Sequence, residues 1–212
     1  MPSGAKEINT DKGPESVTVL IPVLNGQDYI RDAINSVLIQ SEVIEILVID
    51  NGSSDDTNQI LSSYCRTDNR VKVIVCHERG VANALNLGLA QASGTLIARL
   101  DADDMMSSSR IQKQLKLISR NSEIALVASQ ISYIDSDGMS IGKSKYPSGE
   151  MKLFKNFLFR NPIAHPSVMF RKDYALSSGG YNPNYEGAED LDLWIRMFQY
   201  GKIVVSPEYL TL

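Results

Sequence analysis

Short aliphatic runs at residues 17–21, 46–49, 71–75 and 95–100 alternate with segments of helical period, and this alternation limits the possible folds more than any other feature of the sequence. Runs without polar alternation read as strands covered on both faces, the condition of a parallel sheet. Between the first two, Ile30, Ala33, Ile34, Val37 and Leu38 recur at i, i+3, i+4, i+7 and i+8, one stripe of a helix packed on that sheet. Residues 54–64 and 81–92 supply the next two helices. With right-handed crossovers, this βαβαβαβ series folds into a doubly wound, mostly parallel α/β sheet with helices on both faces.

After Asp104 the rhythm changes to a smaller α+β region. A helix is expected at 109–119, a strand at 124–129, and short β segments around the turn Asp135-Ser136-Asp137-Gly138. A helix follows at 151–159, then the Pro-punctuated stretch Asn161-Pro162-Ile163-Ala164-His165-Pro166, a strand at 167–170, and a last helix with Leu191, Trp194, Ile195 and Phe198 on one face. Residues 1–16 hold one large aliphatic, Ile8, too little apolar surface to repay ordering, and read as a disordered leader. The rest, 17–212, reads as one domain with a ligand-binding half, 17–104, and a second half, 105–212. The apolar ending at Leu212 leads us to expect further sequence in the natural protein.

Charge narrows the partners. With 21 Lys and Arg against 25 Asp and Glu, and no basic cluster, the chain does not read as a nucleic-acid or anionic-membrane binder. Its two cysteines, Cys65 and Cys76, make no disulfide framework; both are expected to be buried in a reducing compartment. No apolar run approaches the roughly 18 residues of a membrane span, and the start is polar rather than a signal peptide, so a cytoplasmic location is expected.

In open parallel sheets ligands bind beyond the carboxyl ends of the strands. Three such positions are polar here: Pro22-Val23-Leu24-Asn25-Gly26, Asp50-Asn51-Gly52-Ser53-Ser54-Asp55-Asp56 and Asp101-Ala102-Asp103-Asp104. In an extended chain Asp101 and Asp103 point the same way, so one can grip a hard, oxygen-liganded cation, Mg²⁺ or Mn²⁺, while the other reaches a ligand hydroxyl. Capping of the next helix would need only one of these acids. Asp50 ends a buried strand, where a carboxylate can accept an N–H from a nucleobase, whereas Ser53 and Asp56 read as a capping box. Glu189 and Asp190 open the last helix. They read either as acids favoured by the helix dipole or, beside Trp194, as a general base whose pKa desolvation would raise. Asp192 and Arg196 read as an i,i+4 surface pair.

Other chemistries lack their residues. There is no G-x-G dinucleotide fingerprint. Gly138 to Ser144 imitates a P-loop with one residue too few between its glycines and reads as a hairpin. No His pair has metal spacing, and no Ser sits in a nucleophile elbow. Tyr133, Tyr146, Tyr181, Tyr185 and Trp194 could stack on sugar rings or simply pack.

Four ordered motifs carry a resemblance to the family 2 glycosyltransferases of the GT-A fold: Val19-Leu20-Ile21-Pro22-Val23-Leu24-Asn25-Gly26; Ile46 through Asp50-Asn51-Gly52-Ser53-Ser54-Asp55-Asp56-Thr57; Gly80-Val81-Ala82-Asn83-Ala84-Leu85-Asn86 with Ala98-Arg99-Leu100-Asp101-Ala102-Asp103-Asp104; and Glu189-Asp190-Leu191-Asp192-Leu193-Trp194. The resemblance implies inverting transfer of a sugar from a nucleoside diphosphate donor, usually UDP-linked, to an acceptor hydroxyl in polysaccharide, lipopolysaccharide or glycoconjugate synthesis. The acceptor would be a saccharide or a lipid-linked saccharide, with peripheral association at the inner membrane face. It implies that Pro22, Val23, Asn25 and Asp50 surround the nucleoside, that Asp101 contacts the ribose, that Asp103 holds Mn²⁺ or Mg²⁺, and that Asp190, with Glu189 beside it, is the catalytic base. Arg79 reads as a nucleotide-pocket residue or a solvated surface Arg, and His165 as a substrate contact or a loop or core residue. Asn51 departs from the Asp-Asp-Gly-Ser pattern of many members. Two other readings stand beside this one: a sugar nucleotidyltransferase, which should show a glycine-rich loop with a basic residue after the first strand, and a catalytically idle nucleotide-sugar-binding module.

Overall fold

A computed structural model describes residues 14–136, 138–157 and 159–212. Most of the expected leader, and Asp137 of the expected turn, lie outside the described residues. The described end of that leader is engaged: the Ser16 N–H donates to Thr95 Oγ1, and Glu15 pairs with Arg171 at 3.0 Å.

The elements in chain order are β1 (Val17–Val23), α1 (Ile30–Leu38), β2 (Val43–Asp50), α2 (Thr57–Thr67), β3 (Val71–Val75), α3 (Val81–Gln91), β4 (Leu96–Arg99), α4 (Arg110–Ile118), β5 (Ile124–Ile134), β6 (Ser140–Lys143), α5 (Glu150–Phe157), a 3₁₀ turn (His165–Ser167), β7 (Met169–Arg171), α6 (Lys172–Ser177), α7 (Glu189–Met197) and β8 (Lys202–Thr211). The sheet order is β3-β2-β1-β4-β7-β5-β6, with β8 also paired to β5. Strands β3, β2, β1 and β4 are parallel; β7 runs antiparallel between β4 and β5, and β8 lies parallel to β5. The fold is thus a mostly parallel α/β sheet. From β1 the chain steps outward to β3, then returns to β4 on the other side of β1, so a topological switch point falls between the ends of β1 and β4.

Strand alternation builds one core on each face. Val17, Val19, Ile21 and Val23 of β1 meet Ile34 and Val37 of α1 and Ile111 of α4, while Leu20 faces Leu85 and Leu89 of α3 in the cluster that also holds Trp194. The α3 contact is close enough to require glycine: a Cβ at Gly88 would stand 2.2 Å from Leu20 Cδ1. At the amino ends of the strands, buried Glu45 accepts from Thr18 Oγ1 (2.7 Å), Ser93 N (2.7 Å), Ser93 Oγ (2.8 Å) and Lys72 Nζ (2.7 Å), tying β1, β2, β3 and the α3–β4 connection.

Several sequence expectations change. β3 is the outer strand rather than one covered on both faces, and Val75 is exposed. The last helix buries Leu193, Trp194 and Met197 and leaves Ile195 exposed, because its start also buries Glu189 and Asp190 and so turns the stripe. Ser167 belongs to the 3₁₀ turn that Pro166 enters, so the strand expected at 167–170 begins at Met169. Cys65 is exposed, whereas Cys76 is buried as expected. β5 and β6 form the hairpin that the false P-loop suggested. Strand β8 was not foreseen: Ser206-Pro207-Glu208 interrupts its apolar pattern, and the register shift between Ala128 and Gln130 of β5 accommodates them as a bulge. Among the described residues, no helix is long and apolar enough to cross a membrane.

Candidate active site

A cleft of about 780 Å³ opens at the switch point, a size suited to a nucleotide-sized ligand. Pro22, Val23 and Asn25 follow β1 into it. Asn25 adopts a left-handed φ of 54°, a region Asn tolerates better than most residues. Its N–H donates to Ser53 Oγ (2.9 Å), and its Oδ1 accepts from Ser54 N (2.8 Å). The expected capping box is therefore absent: Ser53 serves Asn25, and no side chain caps α2 at Asp56.

Asp50 lies beneath this wall rather than in the cleft. It is buried, and its two oxygens accept from Ser53 N (3.0 Å) and Asn58 Nδ2 (3.1 Å). Asn51, the departure from the family pattern, has a defined task. Its Nδ2 donates to Cys76 O (3.3 Å) and Glu78 O (2.7 Å), and its Oδ1 accepts from Gly80 N (3.0 Å). These bonds hold the loop that brings Cys76, His77 and Arg79 to the cleft. An aspartate could not donate to the two carbonyls.

On the β4 side Arg99 and Asp101 line the cleft. Arg99 is 3% exposed, and one terminal nitrogen stands 2.5 Å from Asp101 Oδ1. Asp103 is exposed, outside the lining of the cleft. Asp104 is pushed up to about 7, first by burial and then by the charges of Asp101 and Asp103, against the pull of Arg99 and Arg110. Among the described residues, no three His, Cys, Asp or Glu side chains converge as a metal cage. The donor set fits a hard cation held by one or two carboxylates and completed by substrate phosphates: three acids crowd one loop, and Asp104 is raised first by burial and then by the charges of the other two.

The second half, 105–212, reaches the cleft through Glu186, just ahead of α7. Glu189 and Asp190 stand behind it, both buried. Glu189 Oε2 accepts from Gly187 N (2.7 Å). Asp190 accepts from Asn161 Nδ2 (2.6 Å) and from Leu191 N (2.7 Å). Burial is the largest influence on Asp190 and raises its pKa; the neighbouring Glu189 charge adds to it, while the two hydrogen bonds and Arg99 oppose it. Below it, Trp194 packs edge-on to His165 (5.8 Å between centroids) and Tyr181 (6.2 Å), and His165 Nε2 is 3.0 Å from Tyr181 Oη. Tyr181 is buried, and the half-buried His165 packs against it; burial first, and then the Arg99 charge, push the His165 pKa down. Asn86 of α3 clamps this cluster to the sheet half, donating to Tyr181 O (2.7 Å) and accepting from Tyr181 N (2.8 Å). Asp192 and Arg196 do form their i,i+4 pair, and Arg196 also donates to Gly180 O (2.7 Å), anchoring the α6–α7 connection.

The structure therefore gathers Pro22, Val23, Asn25, Arg79 and Asp101 around one cleft, with Asp50 supporting its wall and Asp103, Glu189 and Asp190 outside its lining. Sequence reasoning passed over Arg99 and Asn161. A charged residue closing an otherwise apolar strand was the available signal for the first; for the second, a polar residue opening a Pro-rich stretch said nothing of its partner.

The profile of glycosyl transferase family 2 matches residues 18–176, and the chain belongs to that family. An uncharacterized glycosyltransferase of Haemophilus influenzae is 32% identical over 207 residues, covering 92% of this chain and 64% of that protein. The O-antigen biosynthesis glycosyltransferase WbnJ of Escherichia coli is 32% identical over 185 residues, 86% of this chain and 72% of WbnJ. Among solved structures, S. aureus TarS in complex with UDP-GlcNAc superposes with a TM-score of 0.75 at 19% identity, covering 92% of this chain and 57% of that one. The mannosyltransferase PcManGT of Pyrobaculum calidifontis, with GDP-Man and Mn²⁺, gives 0.69 at 17% identity over 92% of this chain and 55% of that one. The chain thus spans somewhat under two thirds of the length of several proteins it resembles, and the fold is the GT-A glycosyltransferase fold.

Proposed function

We propose that this chain carries the donor site and catalytic base of an inverting glycosyltransferase, moving a sugar from a nucleoside diphosphate donor, UDP-linked in our reading, to a hydroxyl of a saccharide or lipid-linked saccharide. The product would be a surface polysaccharide, lipopolysaccharide or other glycoconjugate, made in the cytoplasm or at the inner face of the membrane. The observation that carries the reading is the cleft at the switch point, with an ion-paired Asp101 on one side, Glu186 on the other, and a desolvated Asp190 close by. The UDP-GlcNAc complex of TarS and the O-antigen biosynthesis role of WbnJ support the donor class and the pathway type.

In this scheme Pro22, Val23, Asn25 and Arg79 enclose the nucleoside, Asp50 braces that wall, and Asp101 takes the ribose. Asp103 would hold Mn²⁺ or Mg²⁺, which when bound supplies charge compensation for the departing diphosphate. Asp190 accepts the proton of the acceptor hydroxyl as that oxygen bonds to the anomeric carbon. The bond from that carbon to the diphosphate breaks, and its electron pair leaves with the nucleotide. Burial suits Asp190 to this task, since a carboxylate with a raised pKa is a stronger base; such general-base catalysis is typically worth about 10²- to 10⁴-fold. Glu189 buttresses the turn by accepting from Gly187 N.

The test is a transfer assay with Asp190→Asn and Asp103→Ala. Asp190→Asn is expected to keep UDP and Mn²⁺ binding while turnover falls about a hundredfold or more. Asp103→Ala is expected to abolish the metal-dependent part of UDP binding. Unchanged turnover in the first variant, or equal UDP affinity of the wild type with and without chelator, would overturn these assignments.

A further inference from the structure

Among the described residues that line the cleft, the scheme above leaves two charged groups unused, Glu186, which is exposed, and Arg99, which is buried. Arg99 closes β4, and alternation along that strand turns it, with Ile97, to the face that holds Trp194, Tyr181 and Phe170, while Ala98 and Leu100 pack on the opposite face. Its side chain is 3% exposed, yet it lines the cleft beside Asp101 and Glu186. A guanidinium carries five N–H donors, and burying one is costly unless those donors are met. Here the ion pair of Nη1 with Asp101 Oδ1 is the only side-chain partner found among the described residues, and neither that buried Nη1 nor the buried Nε has a hydrogen-bond partner.

Its position is also particular. Arg99 touches Asp101 directly and lies within electrostatic reach of Asp190, His165 and Tyr181, so the guanidinium is near both the acid on the donor side and the acid at the start of α7. In the proposed reaction the group lying between those two acids is the sugar being transferred. Vicinal hydroxyls each donate and accept, and an arginine–carboxylate pair offers N–H donors beside an acceptor oxygen in fixed geometry. Diphosphate oxygens only accept, and would leave the Asp101 half of the pair facing an anion.

We propose that Arg99, held by Asp101, binds hydroxyls of the donor sugar and is a specificity-determining residue of this site. The inference rests on the glycosyltransferase reading and deepens it. Arg99 completes its hydrogen bonds when a nucleotide sugar, rather than the nucleotide alone, occupies the cleft.

The experiment compares wild type, Arg99→Lys and Arg99→Met by calorimetry in Mn²⁺, using UDP and whichever of UDP-GlcNAc, UDP-glucose, UDP-galactose or GDP-mannose most raises the wild-type melting temperature (with GDP replacing UDP in the last case). Arg99→Lys keeps the charge and loses the fork; Arg99→Met removes both and fills the space. The expected result is nucleotide affinity within about threefold of wild type in both variants, with the additional affinity of the nucleotide sugar reduced about tenfold, the size of one lost charge-assisted bond. Arg99→Lys should also lose discrimination among the sugars in the panel. Parallel losses for nucleotide and nucleotide sugar would assign Arg99 to the diphosphate or to structure and overturn the inference, as would an unchanged sugar increment. Stabilisation of wild type by none of the four sugars would instead remove the glycosyltransferase reading, and the inference with it.

Discussion

Glu45 offers the sharpest quantitative test of the scaffold, because its oxygens are fully committed at the end of the sheet opposite the cleft. Burial alone would push its carboxyl up. The bonds from Lys72, the Ser93 N–H, Thr18 and the Ser93 hydroxyl outweigh burial and hold it at about 2, against an ordinary 4.5. A native pKa below the unfolded one means that the folded state releases the proton more readily. The stabilisation is therefore complete above about pH 4.5 and is lost as pH falls through that value toward 2. The size of the shift corresponds to about 3 kcal/mol. Glu45→Gln removes it, since either orientation of the amide turns an N–H toward groups that now donate: Lys72 and the Ser93 hydroxyl on one oxygen, Thr18 and the Ser93 N–H on the other. Urea unfolding at pH 7 should show the variant's midpoint lower by about 1 M, at an m-value of about 2–3 kcal/mol per M. Repeated at steps down to pH 2.5, the two midpoints should converge. A gap that stays constant with pH would show that the loss comes from packing rather than from the carboxylate's charge, and the linkage argument would be wrong.

Three further outcomes are expected. Because Asn161 donates to Asp190 and lowers its pKa, Asn161→Ala should move the acidic limb of the kcat/KM profile to higher pH, as the base then requires a higher pH to ionise; a limb that stays put would separate Asn161 from the base. Asn51→Asp places a carboxylate against Cys76 O and Glu78 O and should cost about 1–2 kcal/mol and weaken UDP about tenfold, read by thermal melting and calorimetry; wild-type affinity would show that the 76–80 loop does not depend on the amide. Gly88→Ala drives a methyl into Leu20 and should destabilise by about 1–2 kcal/mol despite the better helix propensity, with Leu20→Val restoring part of it; a stabilised single variant would mean that Leu20 moves aside freely.

The sheet half was largely readable in the sequence because its signals are local. Aliphatic runs, the stripe through Ile30, Ile34 and Val37, and turn residues such as Asn25 and Gly52 each act within a few positions. The second half was less readable because its decisive interactions are distant. β7 is only Met169–Arg171, shifted from the strand expected at 167–170, and its bounds are set by pairing with β4 and β5. β8 is broken by a proline that sits in a bulge opposite Ser129 of β5, which only the pairing shows. The stripe of α7 was misread because two acids share its buried face, against the rule that charged residues stay outside. In the candidate site, residue types at strand ends picked out Pro22, Val23, Asn25 and Asp101, which the structure gathers around one cleft. Which oxygens were already committed, as in Asp50, and which donors were left over, as in Arg99, depended on partners that no spacing encodes.

The last residues of β8 bear directly on the acidic loop. Leu212 exchanges both backbone bonds with Met105 at 2.9 Å, Leu210 O accepts from Ser107 N, and the Thr211 hydroxyl accepts from Arg110, which also reaches the carbonyl of Arg99. The segment after Asp104 is therefore laced to the final strand as firmly as neighbouring strands are to each other. A displacement of residues 210–212 would therefore be felt, through these bonds, at the loop that carries Asp101, Asp103 and Asp104.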